Sequence, residues 1–326
     1  MIRRRSALLA GAGLLVAYQL SRGQPAPLIR RVGWLALVSE ASGAHLLAAL
    51  KQGMLDLGWQ EGKKIEYRIG YCDGDVNRAD ALASELVSRK VDVVVVGAVP
   101  TTRALQRATK TVPIVMANVI DPVGNGFVAS LANPGGNITG IANLHDEVMG
   151  KLIAALHEVA PAARRIAVVL NETNPVHPVF WAAAQKACAA LDLVAVRVVA
   201  NTPAQLGVAV GEIVRQRAQA VVVVADGMYL AERAKVQELM QTTGLPVAYA
   251  LREHVSMGGL LSYGANLTAN YRHAATYVDK ILKGAKPADL PVEQAIQFEL
   301  VINLKTAQTL GLTIPQSLLL RAEVVQ

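Results

Sequence analysis

Residues 91–105 read VDVVVVGAVPTTRAL. Val93 to Val96 are apolar at every position. A strand tolerates that only when both of its faces are covered, as in a parallel sheet flanked by helices. Pro100 suits the first turn of a helix, where its missing N–H leaves nothing unpaired. The stretch therefore predicts a buried strand, a short turn and a helix, with the turn at the carboxyl edge of a sheet. In open parallel sheets ligands bind beyond those edges.

The same rhythm continues on both sides. Upstream, RVGWLALV (31–38) reads as a strand. Leu46, Leu50, Met54 and Leu57 then recur at helical spacing, and Gly58 ends that helix. KIEYRIGY (64–71) alternates like a strand nearer an edge, and NRADALASELVSRK (77–90) is an amphipathic helix. Downstream, PIVMANVI (113–120) is a fourth strand. The pattern restarts with a helix through Leu152, Leu156 and Val159. Strands RRIAVVLN (164–171), VAVRVVA (194–200), AVVVVAD (220–226) and PVAYAL (246–251) then alternate with helices over 178–192, 204–217 and 229–244. GGLLSYG (258–264) is a further strand. Asn266 caps a helix stopped by Gly284, and QFELVINL (297–304) is a final strand before a short helix. Two alternating βα units in 326 residues predict an α/β protein of two lobes, each a doubly wound parallel sheet.

Composition narrows the function. The chain is 52% apolar and 17% charged, which excludes a disordered protein. The formal charge of +7 owes four units to Arg3, Arg4, Arg5 and Arg22, and no run of five basic residues exists, so no nucleic-acid partner is expected. The first 26 residues hold no acid and carry an apolar run from Ala7 to Leu20, short of the roughly 20 residues of a membrane span. They read as an export signal, with partial twin-arginine character at Arg4-Arg5, ending near Ala26. Gly11-Ala12-Gly13 imitates part of a dinucleotide fingerprint but follows no strand. Cys72 and Cys188 stand far apart, with no metal-ligand spacing, and the six histidines form no HxxxH pair. GxSxG, P-loop and HExxH signatures are absent, so neither enzyme chemistry nor a metal or cofactor is expected.

The strand ends supply the candidate site. They are Ser39 and Ser42; Gly97, Thr101 and Thr102; Asp121; Asn171 and Asn174; Asp226; Tyr249; and Tyr263 on the return strand. Hydroxyls and free amides at helix starts bind a carboxylate, Asp121 or Asp226 can take an ammonium, and tyrosines add surface and a hydroxyl. The set suits an amino-acid-like zwitterion. The competing reading makes the serines, threonines and aspartates helix or turn caps and the tyrosines ordinary packing residues.

Longer stretches carry a resemblance. EGKKIEYRIGYCDGD (61–75), VDVVVVGAVPTTRAL, DPVGNGFVASLANPGGNITG (121–140), LREHVSMGGLLSYGANL (251–267) and YVDKILKGAKPADLPVEQAIQFELVINLKTAQTLGLTIP (277–315) resemble substrate-binding proteins of ABC importers of the tryptophan/tyrosine type, from about residue 30 to the end. The resemblance implies a type I periplasmic-binding-protein fold, with two α/β lobes joined by three crossings and a ligand in the cleft. Lobe I is then 27–143 plus 263–290, and lobe II 144–262 plus 291–326. It also implies that Asp121-Pro122-Val123-Gly124 faces the cleft and that FVASL (127–131) forms a short helix. Two departures bear on the cleft: Ala98-Val99-Pro100 replaces the usual GTP, and Val224-Ala225-Asp226 replaces LPD.

The function implied is capture of a small, amino-acid-like ligand, aromatic for some members, by a periplasmic monomer and its delivery to an inner-membrane ABC permease. A ligand sensor of the same fold is the first alternative, and a two-domain α/β enzyme the second.

Overall fold

The computed structural model describes residues 29–143, 145–295 and 297–326. The segment read as an export signal lies outside them. In chain order the first half runs β1 (Arg30–Ala36), α1 (Glu40–Asp56), β2 (Ile65–Tyr71), α2 (Ala79–Ser88), β3 (Val93–Val96), α3 (Val99–Ala108), β4 (Ile114–Ile120) and β5 (Ile138–Asn143). The second half runs α4 (His145–Val159), β6 (Arg165–Leu170), α5 (His177–Ala189), β7 (Val194–Val199), α6 (Leu206–Arg215) and β8 (Ala220–Val223). It continues with α7 (Gly227–Ala231), α8 (Arg233–Gln241), β9 (Val247–Tyr249), α9 (Arg252–Val255) and β10 (Leu261–Ala265). The tail comprises α10 (Leu267–Leu282), β11 (Glu293–Gln294), β12 (Phe298–Asn303), α11 (Leu304–Thr309), α12 (Gln316–Leu319) and β13 (Glu323–Val325).

The first sheet has the order β11-β5-β4-β3-β1-β2 and is parallel throughout. The second has the order β13-β12-β10-β9-β8-β6-β7 and is parallel except between β10 and β12. The valines of β3 show why each sheet is covered twice. Val93 and Val95 pack in one cluster with Leu46, Leu50 and Met54 of α1 and Ala274 and Val278 of α10. Val94 and Val96 pack on the other face with Ala83, Leu86 and Leu105 of α2 and α3.

Among the described residues three segments cross between the sheets: β5 into α4, β10 into α10, and β11 into β12. The last two are tied together. Asn266 caps α10 through the Ala269 N–H at 2.8 Å, its own N–H reaches the Gln297 carbonyl, and its amide reaches Glu299 at 3.0 Å. In each sheet the chain reverses its direction of winding once, between β1 and β3 and between β6 and β8. Those reversals leave crevices at the carboxyl ends of the strands, and the two crevices face each other.

Four expectations change. Residues 127–131 form no helix. The amides of Phe127 and Val128 both reach the Pro122 carbonyl, and Ser130 turns the chain through Asn133, so five residues between such turns cannot nucleate one. The helix expected over 229–244 is two, broken at Glu232. Tyr263, expected to open the return part of lobe I, lies in β10 of the second sheet, while β11, beyond 291, pairs with β5 of the first.

His254 is buried in the second lobe, stacked on Tyr249 at 4.8 Å between centroids, with neither ring nitrogen hydrogen-bonded. Burial lowers its pKa from 6.5 to about 4. Between those values the unfolded chain binds a proton that the folded chain refuses. Stability is therefore full above about pH 6.5 and is lost as pH falls toward 4, by about 3 kcal/mol. Urea titrations across that range should show this loss, and His254→Phe should flatten that part of the slope. An unchanged slope in the variant excludes His254 as its source.

Candidate functional site

The cavity between the lobes has a volume of about 110 Å³. From the first sheet, Ala36 ends β1 and Leu37 and Val38 follow it, while Gly97 to Pro100 follow β3. From the second, Asn174 follows β6 and Ala225 to Gly227 follow β8. Each wall is thus built from one winding reversal. Leu46, Phe180, Leu230, Leu251 and Leu267 make most of the rest apolar. A second chamber of about 40 Å³, toward the crossings, shares Asn118, Phe180 and Leu267 and adds Asn143 and Met149.

The polar groups on the first-lobe wall are donors. α3 starts without a side-chain cap, because Ala98 occupies that position. Pro100 has no N–H, and the Val99 and Thr101 amides find no acceptor among the described residues. The Tyr271 hydroxyl arrives beside them. Its ring is 5% exposed and lies against Trp34 at 4.8 Å between centroids. A Cβ on Gly97 would stand 1.9 Å from that hydroxyl, so only glycine fits. Burial raises the Tyr271 pKa well above the ordinary tyrosine value, which keeps the proton available for donation. No described residue hydrogen-bonds the hydroxyl. Asn118 gives its amide oxygen to Asn270 at 3.1 Å and keeps its N–H₂.

The second-lobe wall is held by Asp226. Its Oδ1 accepts the Met228 amide at 2.8 Å and the Tyr229 amide at 3.3 Å, capping α7. Asn174 donates to Oδ2 at 2.9 Å and Asn171 to Oδ1 at 3.3 Å. His177 Nε2 stands 3.1 Å from Oδ2. His177 Nδ1 accepts the Asn171 N–H at 2.8 Å, so the ring carries its proton on Nε2, toward Asp226. Burial pushes the Asp226 carboxyl up, and the donors from His177, Asn174 and Asn171 pull it down further, leaving it below the ordinary carboxylate value.

The lobes touch at the cleft mouth. Arg233 donates to the Ser42 hydroxyl, and Ser42 reaches the Ala231 carbonyl at 3.4 Å. His45 stands 3.0 Å from Glu253. Leu37 of the first lobe lies so close over Gly227 of the second that a Cβ there would be 2.5 Å from its Cδ2.

The expected residues therefore divide. Gly97, Asn174 and Asp226 line the cavity, and Asn171 stands behind Asp226. Ser39 caps α1, and Ser42 joins the lobes rather than facing the cavity. Thr101 and Thr102 turn back to the Ala98 carbonyl at 3.0 and 2.8 Å. Asp121 is a turn residue at φ +43°. Its carboxylate accepts the Gly124 amide at 2.9 Å, and a Cβ on Gly124 would collide with it. The segment 121–124 does not line the cavity. Tyr249 points the other way, to Gln237 at 2.7 Å, in a separate groove of about 600 Å³. Tyr263 stacks on Phe298. Sequence reasoning missed Tyr271, Asn118 and Leu37. Asn118 had a signal, since an amide inside the apolar run PIVMANVI must find a buried partner.

Residues 31–326 match the family model described as ABC transporter substrate binding protein. The chain belongs to that family. A crystal structure of a conserved domain protein from Vibrio cholerae is 28% identical, covers 91% of this chain and 99% of its own, and superposes with a TM-score of 0.85. An ABC domain from Streptococcus pneumoniae in complex with L-Trp is 27% identical over 91% of this chain and 100% of its own, with a TM-score of 0.82. A tyrosine-binding protein of Clostridioides difficile is 23% identical over 283 residues, 87% of this chain and 81% of that protein. The fold is that of the type I periplasmic binding proteins, as a leucine-binding protein from Thermotoga maritima also shows (TM-score 0.57, 13% identity, covering 80% of this chain and 78% of that one).

For a substrate-binding protein the Leu37–Gly227 contact is informative, because it exists only while the lobes are together. Gly227 has no left-handed φ, so alanine fits the backbone of the separated lobe. Overpacking costs about 1–3 kcal/mol, so Gly227→Ala should weaken ligand binding roughly 5- to 150-fold. The ligand-free melting temperature should stay unchanged. Calorimetric titration and thermal melts of both proteins measure this, and an unaltered affinity would show that the lobes do not meet here on closing.

Proposed function

We propose that this chain is an exported solute-binding protein that closes over a small carboxylate with an apolar, ring-bearing body and presents it to an ABC permease. The observation that carries the reading is the uncapped start of α3. The free Val99 amide and the buried Tyr271 hydroxyl both line a cavity whose wall is mostly apolar. A helix start with free amides favours an anion. The cavity of about 110 Å³ is close in size to the roughly 150 Å³ cavities that take benzene. The ligands named for the relatives, L-Trp and tyrosine, belong to the same broad class. In this reading Gly97, Tyr271, Asn118 and Asn174 contact the ligand. Asp226 braces the second wall, and the basic head and apolar run of residues 1–26 direct export.

The mechanism is hinge closure without bond chemistry. Ligand contacts from both walls stabilise the closed arrangement over the open one. Aromatic carboxylates should raise the melting temperature, and small-angle scattering should show a smaller radius of gyration at saturation. Tyr271→Phe should weaken binding about 10-fold or more, the loss of a hydrogen bond to a charged group being about 1.5–3 kcal/mol. A saturated protein with an unchanged scattering profile contradicts the closing mechanism, and unaltered affinity in Tyr271→Phe contradicts the carboxylate corner. Protein recovered from the periplasm with Met1 intact contradicts the export signal.

A further inference from the structure

We infer that the ligand carries no α-ammonium group and is a des-amino aromatic carboxylate, an arylpropanoate or arylacetate rather than an amino acid. This rests on the cleft being the carboxylate site proposed above. A zwitterion needs an anionic or strong acceptor group within hydrogen-bond reach of its α-carbon, because an unpaired buried ammonium is costly.

Among the described residues Asp226 is the acid that lines the cavity, and both of its oxygens are engaged within its own lobe. Oδ1 faces the Met228, Tyr229 and Asn171 N–H groups, and Oδ2 faces Asn174 and His177. His177 cannot turn away without abandoning the Asn171 N–H. Asp121, the other acid that could take an ammonium, holds the Gly124 amide.

The amide oxygens follow the same pattern. The Asn118 oxygen belongs to Asn270, and the Asn174 oxygen accepts the Val176 amide at 3.3 Å. What these side chains and the helix start leave free at the cavity is donors: the Tyr271 O–H, the Val99 N–H and the Asn118 N–H₂. Counted over these side chains and the helix start, free donors outnumber free acceptors, which favours an anion over a cation beside it. The Asn143 oxygen, buried and without a partner, lines the second chamber and not the first. It suits a donor at the far end of a ring, such as a phenol.

The test is calorimetric titration of the mature protein, after unfolding and refolding to remove any co-purified ligand. The probes are 3-(4-hydroxyphenyl)propanoate against L-tyrosine, and indole-3-propanoate against L-tryptophan. At least one des-amino acid should bind ten-fold or more tightly than its amino acid. Two pairs in which the amino acid binds within ten-fold of its des-amino partner, or more tightly, overturn this inference and leave the carboxylate cleft standing. Binding by none of the four overturns both.

Discussion

Each sheet of this protein reverses its winding once, and that constraint determines where everything else can be. Between β1 and β3, and again between β6 and β8, successive crossovers leave on opposite faces of the sheet. Strand ends that would otherwise be roofed by a connection are left open. Two such openings brought face to face by three crossings make a cavity whose walls are loop residues held by buried strands. Val93–Val96 and Ala220–Val223 are almost wholly inaccessible and do not yield, so motion is left to the crossings. The site is then rigid on each wall and variable only in the distance between walls.

The two walls are built differently. The first presents unsatisfied backbone and side-chain donors, because an alanine and a proline stand where a capping side chain and an N–H could have been. The second is internally tied: a buried carboxylate accepting hydrogen bonds from four neighbours, Met228, Tyr229, Asn171 and Asn174, with His177 Nε2 3.1 Å away, holds the loops after β6 and β8 in one shape. Removing one donor from such a network leaves a charge under-solvated, so its members act together. On the proposed reading the first wall recognises and the second stays rigid, so Asp226 stands at the cavity with its oxygens taken up within its own lobe.

Much of the fold was legible in the sequence, because periodicity and caps report burial directly. The all-apolar run of β3, the alternation of the edge strand β2 and the Asn266 cap each signal a local condition that tertiary structure then used. The site was legible only as a set of strand ends. Whether a residue there turns into the cleft depends on the pleat and on competing local hydrogen bonds. Thr101 and Thr102 find the Ala98 carbonyl, and Asp121 finds the Gly124 amide, before any ligand could compete. Tyr249 follows Val247 on the face of β9 turned to α8. Tyr271 was invisible for the opposite reason. It is helical, one turn into α10, and only the return crossing brings it beside Gly97.

Closure also has to be poised. A binding protein whose lobes adhered strongly by themselves would hold its cavity shut against the ligand, and one with no lobe–lobe contact would draw the whole closing energy from a small molecule. The contacts at the cleft mouth are of the modest kind: the Ser42 hydroxyl with Arg233, the partly exposed His45 with Glu253, and one leucine over one glycine. The decisive term is left to the cavity, where the free donors of α3 and Tyr271 are costly to enclose without an acceptor. On the proposed closing mechanism, the molecule closes fully only around something that brings one.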